Sequence, residues 1–257
     1  MQRTIADGFG VDVRTASDVI RDVTASLLRH LPEFVRMPNV ASLPRIKHQF
    51  KQPYRMLIFP GVNGCIDGTH VRIQRPSAVY DQPFINRKAI LRLMSSSFVD
   101  LTCNSMTWLR GGQGLAMIPT FFEILKFREN SKLVCMTDSG YGCSRYLLTP
   151  IIRHNRSQAE ARYNRCHMST RVLIEQAIGL LKRRFLALHM ELRYTPEKVC
   201  RFVAVAAMLH NLAIQLRLPE EGLPDDLPDD DGHVPAVEDD TPAGNAVRTN
   251  LVNTYFS

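Results

Sequence analysis

Three carboxylates set in apolar runs constrain this chain more than any other feature. Asp67 sits in Gly64-Cys65-Ile66-Asp67-Gly68-Thr69-His70, Asp138 closes Val134-Cys135-Met136-Thr137-Asp138, and Glu175 ends Arg171-Val172-Leu173-Ile174-Glu175. A charge drawn into apolar surroundings is costly unless something compensates it. A hard divalent cation does so, because Mg²⁺ accepts carboxylate oxygens from distant parts of a chain. Three such acids in one domain suggest a metal-dependent site for phosphodiester chemistry. Each acid also has a plain alternative. Asp67 could cap its own backbone in a hairpin turn, and Asp138, followed by Ser139-Gly140, could be a turn aspartate. Glu175 could simply pair with Arg171, four residues earlier on a helix.

The pattern around these acids alternates strands and helices. Val62–Asp67 reads as a strand, Gly68-Thr69 as a turn and Val71–Gln74 as a returning strand, because Asp-Gly between apolar runs is a hairpin signal. Residues 91–99 and 101–109 read as further strands, and 132–137 as a short strand that delivers Asp138 at its C-terminal end. Residues 110–114 read as a flexible loop and Pro119–Phe127 as a helix. Thr170–Leu188 places Ile174, Ile178, Leu181, Phe185 and Leu188 on one helical face, with Glu175, Gly179 and Lys182 along a neighbouring stripe. Pro196–Leu216 is apolar over most of its surface.

Ahead of this region, residues 4–31 read as a helix, a glycine turn and a second helix capped by Asp12, the outline of a partial helix-turn-helix over residues 1–31. The first helix of such a unit would precede Met1. Residues 32–61 form a basic, proline-containing connector. The nuclease-like domain spans 62–218, and 219–257 reads as an acidic, disordered tail.

Charge divides sharply along this outline. Residues 219–257 hold ten acids and one base, so of 25 acids and 32 bases the preceding body keeps 15 and 31. A body carrying about +16 suits a polyanionic partner, nucleic acid foremost, with a merely solubilising surface as the lesser alternative on charge alone. Arg87, Lys88, Lys182, Arg183, Arg184 and the arginines at 153, 156, 162 and 165 are candidate phosphate contacts. No segment approaches the roughly 20 apolar residues of a membrane span, and an intracellular, soluble protein is expected. The six cysteines lack any C-x-x-C pair and read as buried free thiols. His70 is expected to support the site rather than to ligate, and His167 and His210 to serve packing.

Several stretches together resemble the PIF/Harbinger transposase family and its domesticated relatives. They are Gly64-x-Ile66-Asp67-Gly68-Thr69-His70-Val71, Ile85-Asn86-Arg87-Lys88, Thr137-Asp138-Ser139-Gly140-Tyr141, Tyr146-Leu147-Leu148-Thr149-Pro150, Tyr163-Asn164-x-x-His167, Ile174-Glu175-x-x-Ile178-Gly179-x-Leu181-Lys182-x-Arg184-Phe185 and Leu209-His210-Asn211. The resemblance implies an α/β, ribonuclease-H-like mixed sheet flanked by helices and a DDE active site. Asp67, Asp138 and Glu175 would be both the catalytic and the metal-binding residues, with Mg²⁺ or Mn²⁺ as cofactor. It implies a nuclease acting on DNA in the nucleus, with the cytoplasm as second compartment and a separate DNA-binding protein as a further partner. One departure stands out. Where relatives carry Trp-Pro-Gly-Ser-x-x-Asp-Ser, this chain has Trp108-Leu109-Arg110-Gly111-Gly112-Gln113-Gly114-Leu115-Ala116, with no acid. A catalytically silent remnant that still binds DNA or a partner is therefore the alternative.

Overall fold

The structure, a computed structural model, describes residues 2–35, 59, 62, 64–74, 92–100, 106–109, 134–139, 141–219 and 240–257; for 68, 70, 92–100 and 106–109 it describes the backbone alone. The expected connector from 36 to 58, the loop at 110–114, the helix at 119–127 and the acidic residues 220–239 lie outside the described residues.

A mixed five-stranded sheet carries the site. Its strands are β1 (Gly64–Arg72), β2 (Arg92–Asp100), β3 (Met106–Leu109), β4 (Cys135–Met136) and β5 (Leu147–Leu148), arranged in the order β3-β2-β1-β4-β5. β2 runs antiparallel to β1 and β3 antiparallel to β2, whereas β4 and β5 run parallel to β1. β1 is thus the central strand.

The hairpin expected at Asp67-Gly68 is not formed. β1 passes straight through both residues, and its partner β2 comes from 28 residues further on, with Asp67 opposite Ser97 and Gly68 opposite Ser96. The reason is visible in the burial. Cys65, Thr69, Val71 and Ile73, which share one face of the strand, are all buried on both sides of the Asp-Gly pair. A turn there would have placed half of this apolar face in water.

Three N-terminal helices precede the sheet: α1 (Gln2–Phe9), α2 (Val13–Arg29) and α3 (Leu31–Phe34). Gly10 adopts φ +63° between the first two, and Asp12 caps α2 by accepting from Arg14 N at 2.8 Å. The start of the expected irregular connector is therefore helical, with Pro32 in the first turn of α3.

The long helix α4 (Gln158–Arg184) begins twelve residues before the expected start. Ser157 and Glu160 form a reciprocal capping box, with each side chain bound to the other's backbone N–H. Tyr163, Cys166, His167, Thr170, Ile174, Ile178 and Leu181 are its buried stripe. A short 3₁₀ turn at Leu186–Leu188 then brings the chain back to the sheet, where Leu192 bonds to Arg72 and Gln74 beyond β1. Helix α5 (Pro196–Gln215) matches its expected range to one residue and packs against α2 and α3. Asn211 on α5 donates to Phe34 O at 2.8 Å.

The expected disordered tail needs correction at its far end. Pro242–Tyr255 is a helix, α6, that packs on α4 and β5. Thr241 caps it, with Pro242 at the first position, and Val252 and Phe256 are buried in the main core. The ring of Phe256 lies 5.5 Å from Phe59 and 5.7 Å from Tyr163. All ten acids of the segment precede residue 241, so composition averaged over 219–257 concealed an apolar, acid-free end.

Candidate functional site

Asp67 lies midway along the central strand, on the face that looks toward α4. Cys65, two residues earlier on that face, donates its thiol to Thr170 O at 3.7 Å. The next residue on the helix, Arg171, completes the approach. Its Nη2 donates to Asp67 Oδ2 at 3.1 Å and lies 3.3 Å from Glu175 Oε1. One nitrogen therefore gathers two acids from sequence positions over a hundred residues apart. Their oxygens can be separated by no more than those two contacts laid end to end.

The pairing of Glu175 with Arg171 that helix spacing suggested is thus observed, and it includes Asp67. The Asp67 side chain is 13% exposed and that of Arg171 19%, while Glu175 reaches water at 52%. Breaking an ion pair as buried as Asp67–Arg171 strands a charge and costs about 3–5 kcal/mol. Arg171 is not fully satisfied, because its Nε is buried without a hydrogen-bond partner among the described residues.

Asp138 is the most enclosed of the three, at 3% exposure. β4 pairs in parallel with β1, Gly64 opposite Cys135 and Cys65 opposite Met136. Three residues on from the Gly64–Cys135 pair, the two chains reach Asp67 and Asp138. Crevices beyond the C-terminal ends of parallel strands are where ligands enter open α/β sheets. Thr137 N donates to Leu148 O at 3.1 Å and holds the backbone just before Asp138 against β5.

His167 fixes the same corner from the helix side. Its Nε2 lies 3.2 Å from Leu148 O. A carbonyl can only accept, so the ring is the donor wherever it bonds Leu148 O, and the Thr137 backbone is its second hydrogen-bond neighbour. Burial, assisted by the Arg171 charge, pulls the imidazole pKa down to about 4 and leaves it neutral.

Oxygen donors of this kind are what Mg²⁺ or Mn²⁺ requires, and Asp67 and Glu175 already converge on one cation, the Arg171 guanidinium. The donor chemistry therefore fits a divalent ion. Among the described residues, however, no group of three or more His, Cys, Asp or Glu is arranged to hold one. Cysteine is no substitute: burial raises the thiol pKa of Cys135 and Cys143, and that of Cys166 to about 11, so they remain protonated. None of the five described cysteines is in a disulfide; Cys65, Cys135, Cys143 and Cys166 are buried as expected, whereas Cys200 is half-buried.

Several expected phosphate contacts also have partners within the fold. Lys182 is buried at 4% exposure. Arg153 pairs with Glu160, Arg156 donates to Ile151 O, Arg162 donates to Phe256 O and Arg184 donates to His210 O. Arg165 remains exposed, while Arg87 and Lys88 lie outside the described residues, as does the His70 side chain. A cleft of about 640 Å³ opens between the loop after β5 and α6, lined by Ser139, Tyr141, Arg153 and Arg248 among others. None of the three acids lines it, and its two arginines are paired with Glu160 and Asp240.

Sequence reasoning overlooked Arg171 as the organising residue of this site. It appeared only as a partner that would make Glu175 ordinary.

Residues 116–211 match the model of the DDE superfamily endonuclease, a span that contains Asp138 and Glu175 and leaves Asp67 outside. Along its whole length the chain aligns with proteins named "Putative nuclease HARBI1", at 26% identity in Homo sapiens and 28% in both Rattus norvegicus and Mus musculus, covering 76% of each. The chain is a homologue of HARBI1. No solved structure matches it. The DDE superfamily endonuclease match thus covers Asp138 and Glu175 on a mixed α/β fold, while the similarity to HARBI1 extends along the chain and includes the stretch around Asp67.

Proposed function

We propose that this chain is a divalent-metal-dependent DNA nuclease of transposase origin, with Asp67, Asp138 and Glu175 as its metal-binding and catalytic acids. The carrying observation is the shared contact of Arg171 with Asp67 and Glu175. It speaks for carboxylates from a central strand and a distant helix meeting at one cation position, while Asp138 stands at the same level one strand away. The strand order, three antiparallel strands followed by two parallel to the first, supports a ribonuclease-H-like core.

When bound, divalent cations would activate the attacking oxygen and stabilise the leaving one. The chain's own part is to supply the oxygens and hold them. Asp67 is held by the central strand, the backbone leading to Asp138 by the β4–β5 ladder, and Glu175 by α4. The net positive charge of residues 1–218 would favour binding of a phosphate backbone, an attraction that weakens with salt. The nucleus is the compartment in which such a substrate would be met.

The test is nicking of supercoiled plasmid DNA in Mg²⁺ or Mn²⁺ by the wild type and by Asp67→Asn, Asp138→Asn and Glu175→Gln. Cleavage that falls by about 10²-fold or more in each variant supports the reading. Equal cleavage by all four proteins would sink it. Absence of cleavage with retained DNA binding favours a silent remnant. That second reading draws on the lack of a built metal group among the described residues and on the acid-free run at 108–116.

A further inference from the structure

We infer that Arg171 is a built-in placeholder for the metal, holding the Asp67 and Glu175 carboxylates together in the metal-free protein and competing with a divalent cation for the same oxygens. This rests on the reading of those two acids as metal ligands.

Three observations carry the inference. First, the geometry is that of a shared counter-ion, because a single nitrogen, Nη2, is within 3.1 Å of one carboxylate and 3.3 Å of the other. Two carboxylates brought this close without a cation between them would repel each other. Second, the arginine is held in place by backbone that does not need the metal. It follows Thr170, whose hydroxyl donates to Cys166 O at 2.8 Å and whose carbonyl accepts from Cys65 Sγ, so this turn of α4 is fastened to β1 directly beneath Asp67. Third, the guanidinium is incompletely satisfied, with a buried Nε lacking a partner among the described residues. Once a bound cation compensates the carboxylates, a guanidinium with one nitrogen already unsatisfied has less to lose by turning toward water, and Glu175 on the solvent side leaves a route outward.

The competition has a clear sign. If Arg171 were only a scaffold, its removal would loosen the ligands and weaken metal binding. If it occupies the metal's position, removal strengthens binding while destabilising the metal-free protein.

The experiment titrates Mn²⁺ into the full chain, reads free Mn²⁺ by electron paramagnetic resonance, and follows thermal unfolding in parallel. Wild type is compared with Arg171→Gln, Arg171→Lys and the double variant Asp67→Asn/Glu175→Gln. Arg171→Gln is expected to bind Mn²⁺ roughly three- to tenfold more tightly, the equivalent of losing the half-exposed competing pair with Glu175. It should unfold at a lower temperature without metal and gain more from Mn²⁺ than wild type does. Arg171→Lys keeps the charge without the planar fork and should lie between the two. Equal or weaker Mn²⁺ affinity in Arg171→Gln overturns the placeholder; should that protein not fold without metal, the same outcome in Arg171→Lys does so. Loss of Mn²⁺ binding in the double variant keeps the metal-site reading standing whichever way Arg171 falls. If the double variant binds as wild type does, or neither wild type nor Arg171→Gln binds, the site reading fails and takes the placeholder with it.

Discussion

Replacing Gly244 by alanine adds one methyl group where α6 meets the loop between β4 and β5. That carbon would lie 2.4 Å from Cys143 O, 2.5 Å from its carbonyl carbon and 2.6 Å from Ser144 Cα. All three are backbone atoms, so no side-chain rotation relieves the clash. Retreat of α6 would break two contacts to Cys143 O, from Thr241 N at 2.8 Å and Thr241 Oγ1 at 3.1 Å. It would also lift Val252 and Phe256 from the core, each worth up to about 1.5–3 kcal/mol. Glycine to alanine in an open helix stabilises by about 1 kcal/mol, and overpacking costs about 1–3 kcal/mol. With partial undocking, a net loss of about 2–4 kcal/mol is expected. Gly179→Ala on α4 is the control, because its methyl meets nothing within 4 Å, and it should stabilise by about 0.5–1 kcal/mol. Urea unfolding of both proteins, with amide exchange over residues 242–256, measures the difference. A Gly244→Ala protein at least as stable as wild type, with unchanged exchange in α6, would refute the docking described here.

Acid should destabilise the fold through two buried histidines. His167 and His210 have folded pKa values of about 4, lowered chiefly by burial, against 6.5 when unfolded. The unfolded chain takes up these protons first, so their contribution is intact above pH 6.5 and erodes as pH falls toward 4, by on the order of 3 kcal/mol for each when fully lost. Thermal unfolding across that window checks it, and His167→Gln should flatten the slope. Tyr163→Phe removes the buried hydrogen bond from Tyr163 Oη to Thr149 O at 3.0 Å. It leaves that carbonyl unsatisfied and should cost about 1–2 kcal/mol in urea titration.

What the sequence disclosed, and what it withheld, follows from the range of the interactions. The turn at Gly10, the Asp12 cap and the span of α5 depend on neighbours within a few residues, and they were legible. The early start of α4 was also written locally, in Ser157 and Glu160, but the stripe from Ile174 onward drew the eye away from it. Asp67-Gly68 was misread because the same dipeptide serves a turn or a strand, and its partners are Ser97 and Arg171, far along the chain. Arg171 itself was legible as a helix neighbour of Glu175, never as the link to β1. α6 was lost in averaging, although Thr241-Pro242 is a start signal and Val247, Leu251 and Val252 keep a helical spacing.

The docking of α6 changes what the acidic stretch is. Just past α5, Leu218 N donates to Ala213 O at 2.9 Å, and just ahead of α6, Asp240 accepts from Cys143 N at 2.8 Å and pairs with Arg248. Both ends are moored to the same body, so a protease cut between them would yield two pieces that remain joined. Trimming the chain at residue 218 is a different operation: it would strip the cover from Phe59 and Tyr163 and expose a sticky aromatic surface.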